Sequence, residues 1–165
     1  MKQHHVFSFL QRMGKSFMLP IAVLPVAGIF LGVGSSLTNE TTIMALHLSS
    51  VLGQGTFLYS VLILLKKVGN ILFDNLPLIF AVSIALGMSK RRKEVAALAA
   101  IIAFFVMHAT INALLCLDGS IVNGVVSGQV LDGSITWVCG MLSLEMGVFG
   151  GIIVGLGVSY LHNRF

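Results

Sequence analysis

Two polar side chains inside an apolar stretch are the residues best suited to chemistry in this sequence of 165 residues. His108 and Asn112 lie four positions apart within residues 95–117, so a helix would place both on one face. In a membrane, such groups are functional candidates by default, here as the lining of a polar path or a site that senses proton state. The alternative is an interhelical hydrogen bond, worth about 0.6 kcal/mol on average.

Cys116 and Cys139 are the only two cysteines. Both would flank a loop at residues 118–141, so a disulfide is conceivable in an oxidising compartment. The favoured alternative is that they act as two small apolar residues. No Cys/His spacing resembles a metal site, and we expect no metal and no cofactor.

The apolar stretch at residues 17–37 places the chain in a membrane, because about 21 residues at about 1.5 Å each span roughly the 30 Å core of a bilayer. The chain is 56% hydrophobic and 10% charged, with a mean hydropathy of +0.98, whereas soluble domains carry roughly 25% charged residues. The stretch is too long for the apolar region of a cleaved signal peptide. The net charge of +4 does not indicate nucleic-acid binding, because the basic residues cluster at the ends of apolar runs.

Four further apolar segments follow, at residues 43–65, 71–88, 95–117 and 146–161. The first is the weakest, because Gly53-Gln54-Gly55 divides it into pieces that are each about half a bilayer long as a helix. We therefore predict that it does not cross the membrane.

The distribution of Lys and Arg supports this choice. If all five segments cross, five basic residues lie on each side; if residues 43–65 stay on one side, eight lie on one side and two on the other. The eight are Lys2, Arg12, Lys15, Lys90, Arg91, Arg92, Lys93 and Arg164, and the two are Lys66 and Lys67. We therefore predict an all-α, polytopic membrane helical bundle with about four spanning helices and both ends in the cytoplasm. Residues 43–67 are predicted as an interfacial or re-entrant segment, and residues 118–141 as an outer loop.

Helix starts are predicted at two of the spans. Asp74 and Glu145 would each lie at the N-terminal end of a helix, where a carboxylate meets the positive end of the helix dipole. Asn75 followed by Pro77 also fits a helix start.

Glycines recur every four residues in two segments. Gly28 and Gly32 form one such set, and Gly147, Gly151 and Gly155 form the other. In lipid this spacing lets helix backbones approach closely, so it predicts a helix-packing or oligomer face. The alternative is the general glycine richness of membrane helices.

Three blocks of the sequence resemble the sugar-permease component, EIIC, of the bacterial phosphoenolpyruvate-dependent phosphotransferase system, within its glucose superfamily. They are LQRMGKSFMLPIAVLPVAGIFLGVGSSL at residues 10–37, FDNLPLIFAVSIALGMSK at 73–90 and GVFGGIIVGLGVSYLHNRF at 147–165. They occur in the order and at the spacing of the family, and the nearest-looking members are the glucose and maltose/glucose permeases.

The resemblance implies that residues 1–165 correspond to the N-terminal scaffold half of an EIIC domain, which forms the dimer interface. The family motifs of the transport half and the phosphorylated cysteine motif of EIIB do not occur here. We therefore expect a truncated chain with no catalytic or sugar-binding residue, and no transport or phosphorylation by these residues alone. For His108 and Asn112 the resemblance favours the structural hydrogen bond.

The implied function is that of one part of a permease, which couples uptake of glucose or a glucose disaccharide to its phosphorylation. The implied location is the bacterial inner membrane. The expected partners are the bilayer, a second copy through the scaffold half, and the EIIB and EIIA phosphocarriers; sugar would bind the other half, and no nucleic acid is expected. The alternative function is a non-transporting membrane scaffold or a small pore-forming oligomer.

Overall fold

The computed structural model describes residues 2–45, 47–53, 55–127 and 133–165. The structure is predominantly helical, at 75%. Gln54 of the predicted break, and residues 128–132 of the predicted outer loop, lie outside the described residues.

The helices and strands follow one another in chain order. The helices are α1 (Lys2–Ser16), α2 (Met18–Leu37), α3 (Glu40–Ala45), α4 (Ser49–Leu52), α5 (Phe57–Asp74), α6 (Leu76–Met88), α7 (Lys93–Leu117) and α8 (Gly147–Arg164). The strands are β1 (Ile121–Val122), β2 (Val125–Val126), β3 (Ile135–Val138) and β4 (Met141–Leu144). The chain forms two compact units, one of Met1–Pro20 with Asn75–Phe165 and one of Ile21–Asp74.

The first unit is built on α6, α7 and α8. Its buried side chains form one cluster of Ala81, Phe104, Val138 and Val154 and a second cluster of Ala85, Ala96 and Ala100. The alanines let the helix backbones lie close together, as small residues do between membrane helices. Helix α1 joins the same unit, because the Phe17 ring that follows it lies 5.6 Å from the Phe80 ring between centroids.

The second unit is built on α2 and α5, with the short helices α3 and α4. Its buried cluster consists of Ile43, Leu52 and Leu62. The predicted break at Gly53–Gly55 is confirmed, because α4 ends at Leu52 and α5 begins at Phe57. The arm after the break extends to Asp74, beyond the predicted end at residue 67.

The expected start of a span at residue 71 is wrong. Helix α5 ends at Asp74 and α6 begins at Leu76, with Pro77 in its first turn. The predicted helix start at Asn75 and Pro77 is therefore confirmed. Asp74 instead ends a helix, because the preceding residues continue α5 up to this break.

Two β-hairpins, at residues 121–126 and 135–144, add strands to the predicted all-α bundle, whereas the outer location of residues 118–141 stays a prediction. Strand β1 pairs with β2, and β3 pairs with β4, both antiparallel. The turns are Asn123-Gly124 and Cys139-Gly140, and all four residues have positive φ. Two-residue hairpin turns of type I′ require this backbone conformation, and Asn-Gly between apolar residues is their strongest sequence signal.

Among the described residues, two helical stretches are long and apolar enough to cross a bilayer, Val6–Leu37 and Lys93–Leu117. A third exists if α5 and α6 count as one broken span. Helix α8 has 18 residues, but it ends in His162, Asn163 and Arg164, which shortens its apolar part. A fourth crossing by α8 therefore stays a prediction.

Candidate functional site

The hairpin of β3 and β4 packs along the side of α7. Val138, the last residue of β3, shares a buried cluster with Phe104 of α7. Phe104 precedes the end of α7 at Leu117 by 13 residues, which is about 20 Å at about 1.5 Å per residue. The tip of the hairpin thus lies beside the middle of α7 and not beyond its end at Leu117.

His108 faces this hairpin. Its Nδ1 lies 2.8 Å from the Ser143 Oγ, and its ring packs edge-on against the Phe104 ring at 4.5 Å between centroids. The His108 side chain is 2% exposed and Ser143 is fully buried. His108 therefore has a hydrogen-bond partner and little open surface, which does not suit the lining of a polar path.

Asn112 lies one turn further along the same face of α7, as predicted. Its Nδ2 donates to the main-chain carbonyl of Leu142 at 2.6 Å. The partner is β4 rather than a second helix, which corrects the expectation of an interhelical bond. The sequence interpretation missed Ser143 and Leu142, because their role depends on how a distant segment folds back onto α7.

The arrangement is suited to holding strands against a helix. Backbone polar groups without water must find partners within the protein, and irregular or strand backbone is tolerated in a bilayer only when buried. The β3–β4 ladder pairs four residues on each strand, from Ile135 with Leu144 to Val138 with Met141. The Asn112 amide donates a hydrogen bond to the Leu142 carbonyl of β4, so this carbonyl has a partner outside the ladder. We call the hydrogen bonds of His108 and Asn112 to Ser143 and Leu142 the polar clamp, because they join α7 to β4.

Glu145 connects this hairpin to α8. Its Oε1 accepts a hydrogen bond from the Gly147 N–H at 3.1 Å, and its Oε2 accepts one from the Thr136 Oγ at 2.5 Å. A carboxylate at this end of a helix interacts favourably with the helix dipole. The prediction that Glu145 lies at a helix N-terminus is confirmed.

The cysteines occupy different environments and are both free thiols. Cys116 is exposed, whereas Cys139 is partly buried and its thiol donates to the Asn75 Oδ1 at 3.5 Å. Burial raises the pKa of the Cys139 thiol. Since the thiolate is the nucleophile, a raised pKa lowers the reactivity of the Cys139 thiol at neutral pH.

The glycines of α8 lie against α6. A Cβ on Gly151 would overlap the carbonyl oxygen of Pro77, and one on Gly155 would lie 2.7 Å from the Ala81 oxygen. Gly147 has only the Glu145 Oε1 near such a Cβ, at 3.8 Å. Gly151 and Gly155 therefore pack two helices inside one protomer, which agrees with the predicted helix-packing face and not with an oligomer face at these two glycines.

The glycines of α2 differ from one another in their surroundings. Gly28 and Gly32 are exposed, and no described atom lies within 4 Å of a Cβ built on either. By contrast, a Cβ built on Gly34 would lie 2.6 Å from the Lys66 main-chain N, and one built on Gly69 would lie 2.6 Å from the Leu31 main-chain N. Sequence analysis missed Gly34 and Gly69, because neither is at the spacing of four that identified the others.

The end of α8 is tied to the turn between α6 and α7. Asn163 accepts from the Lys90 main-chain N–H at 2.8 Å and donates to the Met88 carbonyl at 3.0 Å. The His162 Nε2 lies 2.8 Å from the Arg91 carbonyl oxygen. This group of contacts, the turn clasp, fixes residues 88–91 against α8, and the sequence analysis did not anticipate it.

The comparisons with known proteins agree on one family. The family profile described as phosphotransferase system, EIIC, matches residues 14–165. The glucose-specific EIICBA component of the phosphotransferase system of Staphylococcus saprophyticus is 38% identical over 160 residues, which is 97% of this chain and 22% of that protein. The maltose-specific EIICB component of Escherichia coli is 36% identical over 160 residues, which is 97% of this chain and 29% of that protein.

These matches confirm the resemblance found in the sequence. The chain spans 22% and 29% of the length of these two relatives, so the comparisons concern one part of a larger architecture. Its apolar helices are those of a membrane-embedded protein. Because the family profile covers nearly all of its residues, the chain belongs to the phosphotransferase system EIIC family.

Proposed function

We propose that this chain is the membrane scaffold half of an EIIC sugar permease for glucose or a glucose disaccharide. The observation that carries the proposal is the family match over residues 14–165, together with 97% coverage by glucose-specific and maltose-specific relatives. In this role the chain does not contact the sugar. It provides the surface against which a separate transport domain moves.

The packing of the first unit supports a rigid role. Alternating access is largely the movement of one rigid part of a transporter against another. Close contacts hold α8 on α6 at Gly151 and Gly155, the polar clamp holds β4 on α7, and the turn clasp holds the end of α8. These polar groups are engaged in structural hydrogen bonds, which suits a platform better than a binding site.

In the proposed mechanism, sugar crosses the membrane when the transport domain moves against this scaffold. A phosphoryl group passes from phosphoenolpyruvate through soluble carriers to an EIIB cysteine and then to the sugar 6-hydroxyl. Neither Cys116 nor Cys139 of this chain carries the group. The EIIA and EIIB parts are fused to EIIC in the Staphylococcus saprophyticus relative, as its component name states.

The proposed topology has four crossings, both chain ends in the bacterial cytoplasm and a homodimer contact in this half. Its support is the distribution of eight basic residues against two. Reporter fusions after Arg92 and after Phe165 should report the cytoplasm, and one at Gly124 should report the periplasm. A periplasmic signal at Arg92 contradicts this topology.

A chimera tests the proposed function. The N-terminal part of the glucose-specific relative that aligns with this chain is replaced by residues 1–165, and the matched chimera uses the maltose-specific relative. Each is expressed in a strain without glucose-type permeases, and phosphorylation of labelled glucose and maltose is measured. We expect activity in both chimeras, with the sugar preference of the parent.

Two outcomes would overturn the proposal. If both chimeras insert into the membrane but phosphorylate neither sugar, residues 1–165 are not an EIIC scaffold. If the preference follows residues 1–165, this part contacts the sugar. The chain expressed alone should stay at the empty-vector level, and uptake above that level would instead support a pore-forming oligomer.

A further inference from the structure

A basic cavity opens beside the turn clasp. It has a volume of about 560 Å³ and lies within the first unit, between the end of α8, the end of α6 and helix α1. Small-molecule sites have volumes of about 300–1,000 Å³. The cavity is thus large enough to hold a ligand group.

Three cations face this cavity. Arg12, Lys90 and Arg164 belong to its lining, and the described lining contains no carboxylate. All three residues are exposed. Guanidinium groups pair with phosphate through two parallel hydrogen bonds, and an ammonium adds a point charge. The lining therefore matches the chemistry of a phosphate group.

The turn clasp orders part of this lining. Asn163 accepts from the Lys90 main-chain N–H at 2.8 Å, and the Arg164 guanidinium donates to the Tyr160 hydroxyl at 3.3 Å. The backbone that carries Lys90 and the guanidinium of Arg164 are thus held by contacts within the fold. Less entropy is lost when such a preorganised site takes up its ligand.

Apolar surface continues from the cavity. Phe9 and Leu156 belong to the lining, and Phe9 is 44% exposed. On α1 the neighbouring Phe7 and Leu10 are 70% and 54% exposed. Exposed aromatic and aliphatic residues beside basic ones give a helix the amphipathic character that suits a membrane interface, where its apolar side contacts acyl chains.

We propose that this cavity binds an anionic phospholipid, whose phosphate is held by Arg12, Lys90 and Arg164 and whose acyl chain lies on Phe9 and Leu156. Basic pockets between membrane helices recognise anionic headgroups in this way. The proposal requires only that the cavity faces a membrane interface. It does not depend on the scaffold function or on which side of the membrane the chain ends lie.

Lipid binding is measured by native mass spectrometry of the full chain in detergent. Phosphatidylglycerol and phosphatidylcholine with the same acyl chains are each titrated. We expect phosphatidylglycerol to bind more tightly. Removing the two guanidinium groups in Arg12→Gln/Arg164→Gln should weaken that binding by about 25-fold, or about fivefold for each cation near a membrane surface.

Matched variants keep the test specific to this cavity. Lys66→Gln/Lys67→Gln removes the same charge from α5 and should leave phosphatidylglycerol binding unchanged. Arg12→Lys/Arg164→Lys keeps the charge and should retain most of the binding. Circular dichroism and elution volume show whether each variant is folded. If the Gln variant unfolds, two comparisons still test the proposal: binding of phosphatidylglycerol against phosphatidylcholine, and binding by the Lys variant against the wild type.

Four results would overturn the proposal. Equal binding of the two lipids would show that charge is not recognised, and an equal loss in Lys66→Gln/Lys67→Gln would show that the cavity is not the site. Displacement of the lipid by millimolar inorganic phosphate would identify a soluble phosphate site. Unchanged lipid binding in Arg12→Gln/Arg164→Gln, with weaker binding of a purified EIIB domain, would identify a protein-docking surface instead.

Discussion

The two glycine sets of this chain have the same spacing and opposite surroundings. On α8, Gly151 and Gly155 are buried against α6 at distances that leave no room for a Cβ. On α2, Gly28 and Gly32 are exposed, with no described atom within 4 Å of the Cβ that each lacks. The first pair packs two helices within the protomer, whereas the second pair has no described neighbour beyond its own helix.

This difference separates two uses of one sequence pattern. A spacing of four identifies a helix face on which backbones can approach closely, but it does not identify the partner. On α8 the partner is another helix of the same unit. On α2 the same kind of face stays open, which makes it the better candidate for the proposed dimer contact.

The largest expected effect is the loss of folded protein in Gly151→Leu. The new side chain would overlap the Pro77 carbonyl, a main-chain group that cannot move without displacing α6. Overpacking of this kind costs about 1–3 kcal/mol and sometimes more. We expect a marked fall in membrane abundance, measured by immunoblotting of the membrane fraction.

Gly157→Leu is the matched control for this change. Gly157 lies on the same helix, and no described atom lies within 4 Å of a Cβ built there. Its abundance should stay near that of the wild type. If both variants are equally abundant, α8 is not packed on α6 as described.

The next effect concerns association through α2. We expect the wild-type chain to crosslink as a dimer in membranes, and Gly32→Leu to weaken the crosslink several-fold without lowering abundance, because backbones could no longer approach closely. Gly34→Leu is the contrasting variant. It should lower abundance, since a Cβ there would lie 2.6 Å from the Lys66 main-chain N. An unchanged crosslink in both Gly28→Leu and Gly32→Leu would exclude this face as the dimer contact.

A smaller effect is expected at the polar clamp. His108→Ala, Ser143→Ala and the double variant form a double-mutant cycle, read out as the free energy of unfolding in detergent. The coupling between the two side chains should be about 0.6 kcal/mol and not above about 1.7 kcal/mol, the range measured for hydrogen bonds in membrane proteins. A pH dependence of chimera uptake that disappears in His108→Gln would instead support proton sensing.

The smallest expected effect is a difference in alkylation rate between the two thiols. N-ethylmaleimide should modify exposed Cys116 faster than Cys139, because burial raises the pKa of the Cys139 thiol and lowers its thiolate fraction at neutral pH. Raising the pH should speed the reaction of Cys139, because more of its thiol is then ionised. In denaturant the two rates should converge, and equal rates in the folded chain would contradict the described burial.

Much of the fold follows from local patterns in the sequence. Apolar length predicted the helix at residues 95–117, which the structure extends by two residues to Lys93. Asn75 with Pro77 predicted a helix start, and the spacing of His108 and Asn112 predicted a shared face. The hairpin at Asn123-Gly124 was also predictable, but the apolar residues around it were assigned to a loop.

By itself, the sequence determined that this chain is a membrane protein, because composition and apolar length act over a few turns of chain, and its three matching blocks identified the EIIC family. Only the tertiary structure decided that His108 faces Ser143 rather than another helix and that Asn163 holds the turn at Met88. Only it decided that Gly151, unlike Gly32, has a neighbour. Each of these contacts joins residues far apart in the chain. Their approach depends on how whole elements pack, which no local spacing specifies.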